Sequence, residues 1–334
     1  MSEHNHIGVD IGTSSIKIVA LKRKGKSATL LNAGFIEIEE KGTVLNAMKI
    51  LVERLRIRGK EVITKIPGSA TTIRHVFMPR MSEKELKEAI RWEAKKHISY
   101  PLENAVVDYI STDGETGGDK INVMLVAAEK SAVMSVYSIV RDAGLKVVAV
   151  DTNPLAILET LRLNYDWGSE ENIIVVDIGA GIVEIDIIKG TQLRFTRSVD
   201  INGDDISKVM MEELGITKEE AEEFKKMGVS LKEEVTEGPE AIIRRFLDRL
   251  ALEIQRSVDY YKAQSREKIV KRLILTGGIA LMPGLKEYLA GIFDIVEIIE
   301  PFRSITYKEE RLADIIKDAP LFTGVIGLAA RKVI

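Results

Sequence analysis

Residues 7–18 read IGVDIGTSSIKI and residues 173–187 read IIVVDIGAGIVEIDI. Each stretch contains an apolar run that ends in Asp-Ile-Gly, then a turn of small residues, then a second run rich in Ile and Val. This pattern predicts a β-hairpin in both places. The two stretches lie half a chain length apart, and a repeat of this size predicts two lobes of like construction.

The sequence after each hairpin also repeats in order. A strand over Leu30–Ile38 and a helix over Val44–Leu55 are expected after the first hairpin. A strand over Leu193–Val199 is expected after the second, followed by a helix that starts at Asp204 or Asp205. The similarity therefore extends beyond the hairpins to the units that contain them.

Residues 79–149 have a different pattern, in which Ser82 and Glu85 form an N-terminal capping box. The expected elements are a helix from Ser82 to about His97, strands at Val106–Ile110 and Ile121–Ala127, a helix at Ser131–Ala143 and a strand at Leu145–Val150. Together they predict a small α+β module inserted into the first lobe.

A second insertion, at 210–266, is charged and helical in pattern, and its Lys218–Lys226 run is expected to be a solvated helix face. The predicted domains are 1–78 with 150–170 and 320–334 for the first lobe, 79–149 for the module, 171–209 with 267–319 for the second lobe, and 210–266 for the helical insertion.

Composition excludes several classes of protein. The 334 residues are 45% apolar and 30% charged, with a net charge of −3, which is typical of a globular protein and argues against nucleic-acid binding. The absence of cysteine excludes disulfides, thiolate metal sites and cysteine nucleophiles. No apolar run is long enough for a membrane span, and the polar start, Met1–His6, does not resemble a signal peptide.

The chemistry predicted for the hairpins is phosphate and cation binding. Turn amides exposed by glycine can bind phosphate oxygens. Asp10 and Asp177 end apolar strands, where two facing carboxylates can hold the waters of a Mg²⁺ ion. Taken singly, each is equally an ordinary strand-to-turn aspartate. A third glycine site, Gly277-Gly278, follows the apolar run Leu273–Leu275 and permits close approach of a nucleotide.

The three glycine sites together resemble the actin-like ATPase superfamily over essentially the whole chain. That resemblance implies an α/β, actin-like (ribonuclease H-like) duplicated two-lobe fold that binds ATP with Mg²⁺ held through Asp10 and Asp177. It also implies crossing helices near Asn153 and at Gly324–Ala329. The implied nucleotide contacts are Gly12, Thr13, Ser14, Ser15, Lys17, Gly179, Ala180, Gly181, Gly203, Gly277, Gly278 and Ile279, with Glu253 and Arg256 at the ribose.

Glu253 and Arg256 stand at i and i+3 on one helix face, so a simple solvated ion pair is the alternative interpretation. Asn153 stands where hydrolysing members have a Glu or Gln that positions water. A shorter amide is a poor substitute, so the expected catalytic group of Asp10, Asp177 and Asn153 predicts tight ATP binding with slow or negligible hydrolysis.

The position of the inserted module resembles subdomain 1C of FtsA and of the PilM family of type IV pilus assembly proteins. Val62–Val76, the helix after Ser82 and Tyr100-Pro101-Leu102 look closest to the PilM family. The chain stops at Ile334, shortly after the second crossing helix, so the membrane-targeting C-terminal helix of FtsA is not expected.

This resemblance implies a cytoplasmic scaffold at the inner face of the cytoplasmic membrane, attached only through a partner. The implied partner is a PilN-like inner-membrane protein, whose N-terminal peptide would bind between the first lobe and the module. Other pilus platform or motor proteins and a homo-oligomer are further implied partners. Two alternatives stay open: an FtsA-like polymerising ATPase and a small-molecule kinase of the same superfamily.

Overall fold

Among the residues that the structure describes, two of the three β-sheets share the same arrangement of five strands. The computed structural model describes residues 4–24, 27–38, 42–111, 119–168, 171–230, 235–265, 272–308 and 312–331. Within them the strands are β1 His4–Ile11, β2 Ser15–Lys24, β3 Ser27–Glu37, β4 Glu61–Lys65, β5 Thr71–Pro79, β6 Ala105–Ser111, β7 Lys120–Glu129, β8 Lys146–Asp151, β9 Asn172–Ile178, β10 Val183–Lys189, β11 Gln192–Val199, β12 Arg272–Thr276, β13 Ile295–Ile298 and β14 Ile305–Thr306.

The helices cover the faces of these sheets and fill the space between them. They are α1 Val44–Leu55, α2 Glu83–Ala94, α3 Lys130–Asp142, α4 Asn153–Asn164, α5 Gly203–Leu214, α6 Lys218–Met227, α7 Gly238–Ser265, α8 Leu285–Ala290, α9 Ala313–Lys317 and α10 Thr323–Ala330.

The first sheet has the order β14-β3-β2-β1-β4-β8, and the second has β11-β10-β9-β12-β13. In each, three antiparallel strands are followed by two parallel ones, so β3-β2-β1-β4-β8 matches β11-β10-β9-β12-β13 strand for strand. The duplicated α/β fold predicted from the two hairpins is confirmed.

The inserted module has a third sheet, of order β5-β7-β6. Helix α2 packs on one face of it through Leu86, Ile90 and Ala94. The predicted capping box starts this helix, since the Ser82 hydroxyl accepts from the Glu85 amide and the Glu85 carboxylate accepts from the Ser82 amide.

Strand pairing corrects one of the sequence predictions. The strand predicted at Leu145–Val150 was expected to complete the module, but β8 pairs in parallel with β4 in the first sheet. The module instead gains β5, and β14 joins the first sheet although it follows the second hairpin in sequence. Strand partners that are distant in sequence are decided by packing, which local periodicity does not record. The domain boundaries themselves stay a prediction.

Helices α4 and α10 cross between the two main sheets and are almost wholly buried. A Cβ on Gly327 would clash with the carbonyl oxygen of Ala156, so glycine is required for the two backbones to cross this closely. The apolar side chains of α4 pack against the second sheet and the module, and those of α10 against the first sheet. The N-terminus of α4 therefore lies where the three sheets approach one another.

Candidate functional site

The first hairpin places an acid and a base opposite each other. Asp10, next to the end of β1, pairs in register with Lys17 on β2, and both side chains are buried. The turn is closed by a hydrogen bond from the Gly12 amide to the Ser15 carbonyl, at 2.9 Å. The Lys17 ammonium donates to the Ser15 hydroxyl at 2.8 Å. The tip residues Thr13 and Ser14 are exposed, so their amides are accessible to a ligand.

The second hairpin repeats this geometry with a different charge pattern. Asp177 on β9 pairs in register with Glu184 on β10, at the position that Lys17 has in the first hairpin. The Gly179 amide donates to the Ile182 carbonyl at 3.0 Å, which closes the turn in the same way. Two carboxylates thus replace the acid–base pair of the first hairpin.

The two hairpin tips touch. A Cβ on Gly181 would clash with the Thr13 hydroxyl, so the tips approach closely only because residue 181 has no side chain. Thr13 and Gly181, which were predicted to contact phosphate, therefore lie next to each other.

The N-terminus of α5 lies directly against the second hairpin. The Gly203 and Asp204 amides donate to the carbonyls of Gly179 and Ala180, at 3.0 and 2.9 Å. The helix cap is Asn202, which forms a capping box with Asp205, so the prediction of Asp204 or Asp205 as the first residue was off by one or two positions. Asp205 acts at the third helical position and stabilises the start of the helix.

The third glycine site lies beside the second hairpin because β12 runs parallel to β9, with Thr276 opposite Asp177. Gly277 has a φ of 87°, and a Cβ there would be 2.5 Å from the Asp177 carboxylate. Only glycine therefore fits this position. Gly278 and Ile279 follow in a short 3-10 helix, and Ile279 contacts the position of Gly203.

The side chains of Lys65 and Asn153 connect Asp10 in the first hairpin to Asp177 in the second. Lys65, the last residue of β4, pairs with Asp10 at 3.2 Å and donates to the side-chain oxygen of Asn153 at 2.6 Å. The Asn153 amide nitrogen in turn donates to Asp177 and to Glu184, at 2.6 Å each. Asp10, Asp177 and Asn153, which were predicted as a catalytic group, lie in one network, and their catalytic role stays a prediction.

Lys65 and Glu184 were missed as site residues, although the sequence contains a signal for each. Lys65 stands two residues after Ile63, at the end of the strand-like run Val62-Ile63-Thr64, as Asp10 stands near the end of a similar run. Glu184 stands seven residues after Asp177, which is the spacing between Asp10 and Lys17. Aligning the two hairpin sequences would have shown that Glu184 stands at the position equivalent to Lys17.

Burial and mutual repulsion set the protonation of this cluster. Burial raises the pKa of Glu184 to about 7, with a further rise from the charge of Asp177 beside it. Burial also raises the pKa of Asp177, opposed by Lys65. Burial alone would lower the pKa of Lys65, but Asp10, Asp177 and Glu184 outweigh it and raise that pKa. Lys65 is thus held charged between the hairpins.

Asn153 has little capacity left for another partner in this arrangement. An amide group has two N–H donors, and those of Asn153 point to Asp177 and Glu184 while its oxygen accepts from Lys65. The geometry lets Asn153 join the carboxylates and the lysine. It does not present a free donor to a water molecule.

Glu253 and Arg256 lie on α7 and form an ion pair at 2.7 Å, as the spacing indicates. Glu253 also pairs with Arg197 on β11 at 3.0 Å, while the Arg256 side chain is largely exposed. These contacts place the pair on the β11 side of the second lobe. A role at the ribose stays a prediction.

Comparison with known proteins gives the family of this chain. The family model described as "Type IV pilus assembly protein PilM" matches residues 8–333. The chain belongs to this PilM family. A solved PilM–PilN type IV pilus biogenesis complex contains a chain with 25% identity and a TM-score of 0.84, and the match covers 97% of both chains.

Two other relatives show how widely the fold is shared. The cell division protein FtsA of Bacillus subtilis is 25% identical over 332 residues, covering 84% of this chain and 74% of FtsA. MreB5 of Spiroplasma citri, solved bound to ADP, is 13% identical with a TM-score of 0.52, covering 97% of this chain and 94% of MreB5. The likeness to MreB5 shows the actin-like fold alone. No helix in the described part of the chain is both long and apolar enough to cross a membrane.

Proposed function

We propose that this PilM-family protein binds ATP in the cleft between the two hairpins and uses it as a structural ligand of a pilus assembly scaffold. Support comes from the paired turns of small residues, Gly12–Ser15 and Gly179–Gly181, whose tips meet at Thr13 and Gly181. The helix N-terminus at Gly203 adds positive potential beside them. Lys17 is the cation of the first hairpin that would face the phosphates, and the Gly277–Ile279 turn would take the adenosine.

Magnesium fits the same cleft through water. Among the described residues no group of three acidic or histidine side chains is arranged to hold a metal directly. Mg²⁺ usually keeps several waters and uses one or two carboxylates plus the phosphates of its nucleotide. Asp10 and Asp177 provide two carboxylates beside the hairpin turns. The ion would relieve the excess negative charge of Asp177 and Glu184.

We infer slow ATP hydrolysis from the contacts of Asn153. Both of its N–H donors are taken by carboxylates and its oxygen already accepts from Lys65, so only one lone pair of that oxygen is left to hold a water. The Glu184 carboxylate accepts a hydrogen bond from Asn153 at 2.6 Å, which limits its use as a base toward water. ATP would therefore stabilise the closed arrangement of the lobes by shifting a population between conformations.

The partner we propose is the N-terminal cytoplasmic peptide of a PilN-like inner-membrane protein, bound between the first lobe and the inserted module. Family membership and the likeness to a PilM–PilN complex support it. The protein would then lie at the inner face of the cytoplasmic membrane, held there by its partner. Other platform or motor proteins and a homo-oligomer are further candidate contacts.

The contact of the two hairpins carries this proposal, and calorimetry tests it. Wild-type protein should bind Mg-ATP, whereas Asp10→Ala and Asp177→Ala should weaken binding at least tenfold, by about 1.4 kcal/mol or more. Asp142→Ala, an exposed aspartate on α3 paired with Arg141, is the matched control. Unchanged ATP affinity in both site variants would overturn the site.

The scaffold role needs a separate measurement. PilN-like N-terminal peptides are titrated into the ATP-loaded protein, the apo protein and the Asp177→Ala variant. Binding that is stronger in the ATP-loaded protein is the expected result. An absence of binding in all three would overturn the pilus partner while leaving the nucleotide site intact.

The similarity to FtsA of Bacillus subtilis favours one alternative, a polymerising ATPase. Sedimentation and electron microscopy with Mg-ATP, in the presence and absence of lipid vesicles, distinguish the two roles. Filaments that form on vesicles without any partner protein would favour the alternative over the scaffold.

A further inference from the structure

A cavity of about 230 Å³ lies on the side of Asn153 and Glu184 away from the hairpin turns. It is bounded by β5 of the module, β11 of the second sheet and the first residues of α4. None of its lining residues belongs to the hairpin tips. The lining residues are Gly68, Ser69, Thr71, Thr72, Ile73, Arg74, Thr152, Asn153, Pro154, Glu184, Thr196, Arg197 and Ser198.

The positive end of α4 opens into this cavity. Thr152 is the N-cap residue of the 12-residue helix, but its side chain makes no capping hydrogen bond. Pro154 stands in the first turn and has no N–H group to offer. The first-turn amides and the helix dipole favour an anion at such a position.

The Thr152 hydroxyl is a second and independent indication of a ligand. Thr152 is only 3% exposed, and in the described part of the chain its hydroxyl oxygen has no hydrogen-bond partner. A buried hydroxyl without a partner costs free energy, so native proteins rarely leave one unpaired. Thr152 lines the cavity, and an oxygen-rich ligand there would accept its proton.

One guanidinium group supplies positive charge at the module wall. Arg74 on β5 donates one N–H to the Ile73 carbonyl, at 2.8 Å, whereas Arg197 on β11 lies opposite Ile185 and pairs with Glu253 of α7, on the other face of the second sheet from Glu184. A guanidinium has five N–H donors, so Arg74 retains donors for an anion. Glu184 is the single acidic side chain among the lining residues, all of which are described, and burial raises its pKa to about 7.

We propose that this cavity binds a phosphate-type oxoanion, held by the first turn of α4, the Thr152 hydroxyl and the guanidinium group of Arg74. Because Arg74 belongs to the module and Thr152 begins the helix that crosses between the two main sheets, the anion joins the module to that helix. Asn153 and Glu184 form the wall shared with the hairpin cleft, so the anion and the nucleotide act on the same two side chains. The site does not depend on the pilus role.

The test measures binding of inorganic phosphate to the full chain at low ionic strength, by ³¹P NMR and calorimetry. Phosphate should bind both to the apo protein and to protein saturated with a non-hydrolysable Mg-ATP analogue. The second arm separates this cavity from the hairpin turns, because competition by the analogue would place phosphate in the nucleotide cleft and overturn the proposal. No binding up to about 10 mM phosphate would overturn it too.

Substitutions locate the anion. Thr152→Val keeps the shape of the side chain and should weaken phosphate binding about tenfold, since one hydrogen bond to a charged ligand is lost. Thr152→Ser should restore it. Arg74→Gln should also weaken binding about tenfold, and because Arg74 is exposed, this variant keeps the test valid if Thr152→Val fails to fold.

Arg245→Gln is the matched control, because it removes the same charge as Arg74→Gln. Arg245 is exposed on α7 and pairs with Glu213 of α5, and neither residue lines the cavity. It should leave phosphate affinity unchanged within about twofold. Equal affinity in Thr152→Val, Arg74→Gln and wild-type protein would overturn the site, as would equal losses in Arg74→Gln and Arg245→Gln.

Discussion

The two hairpins share a backbone and differ in charge. In the first, Asp10 faces Lys17; in the second, Asp177 faces Glu184 at the same register. Both turns are closed by a hydrogen bond from the glycine amide to the carbonyl three residues later. Duplication therefore accounts for the geometry, and one residue position accounts for the difference in electrostatics.

The consequence is that the second hairpin depends on groups outside itself. Burial raises the pKa of both buried carboxylates, and the neighbouring charge of Asp177 raises that of Glu184 further. Lys65, from β4, and Asn153, from α4, bring the compensating charge and hydrogen bonds. The asymmetry ties the second hairpin to the first sheet even before a ligand enters the cleft.

Making the first hairpin like the second should have the largest effect. Lys17→Glu would place four carboxylates, those of residues 10, 17, 177 and 184, around Lys65 alone. An uncompensated buried charge costs about 3–5 kcal/mol, so we expect a loss of stability of that order in urea denaturation and no measurable ATP binding. Lys17→Met is the control, since it removes charge without adding an acid. Equal stability of the two variants would contradict the electrostatic account.

Removing the cation that serves both hairpins should rank next. Lys65→Met deprives Asp10 of its ion pair and Asn153 of a donor, and we expect a loss of about 3 kcal/mol in the free energy of unfolding. The exposed Lys60, in the turn before β4, provides Lys60→Met as the control. A double variant of Lys65→Met with Asp10→Asn should recover part of the loss, because it removes the charge left unpaired. Additive losses would mean that the two residues act separately.

Much of this comparison was predictable because hairpins are local. Strand periodicity and the small residues of the turns identified both hairpins, the position of Asp10 and Asp177 and the repeat of the whole unit. The capping box of Ser82 was predictable for the same reason, since its two partners are three residues apart. The duplicated order of the two sheets followed from the repeat.

What could not be predicted depends on contacts between distant segments. Lys65 reaches Asp10 only because β4 pairs with β1 in parallel. Glu184 and Asp186 alternate with apolar residues, which is typical of an exposed sheet face, but both are buried because the sheet is covered on both faces. Lys225 lies in a charged run that was interpreted as a solvated face. It is instead buried, and its ammonium donates to the Gly203 carbonyl and the Ser207 hydroxyl, so that interpretation is wrong for this residue.

Neutralising the second hairpin should change how stability depends on pH. A raised pKa means that folded Glu184 binds a proton where the unfolded chain has lost it. Its contribution to stability is therefore full below pH 4.5 and is lost as the pH rises through about 7. Glu184→Gln keeps an oxygen for Asn153 and removes the titration, so the variant should gain roughly 1–3 kcal/mol relative to wild type between pH 5 and 8.

Denaturation at several pH values measures this gain. Glu212→Gln, an exposed residue on α5 that contacts Lys208, is the control and should give parallel curves. If the difference between Glu184→Gln and wild type is the same at pH 5 and pH 8, the carboxylate does not titrate in this range and the repulsion from Asp177 has been overstated.

The smallest effect is expected where the two tips touch. In Gly181→Ala the new methyl group would overlap the hydroxyl of Thr13, a β-branched side chain with few alternative rotamers, so the tips must separate slightly. Because both tips would hold the same phosphates, we expect ATP to bind about three- to tenfold more weakly. Adding Thr13→Gly removes the overlap, so the double variant should bind ATP better than the sum of the single effects predicts.

Gly168→Ala, where an added Cβ meets nothing within 4 Å, is the control for the glycine substitution itself. Strictly additive losses from Thr13→Gly and Gly181→Ala would show that the tips act on the nucleotide independently, and that Lys65 and Asn153 alone couple the two hairpins.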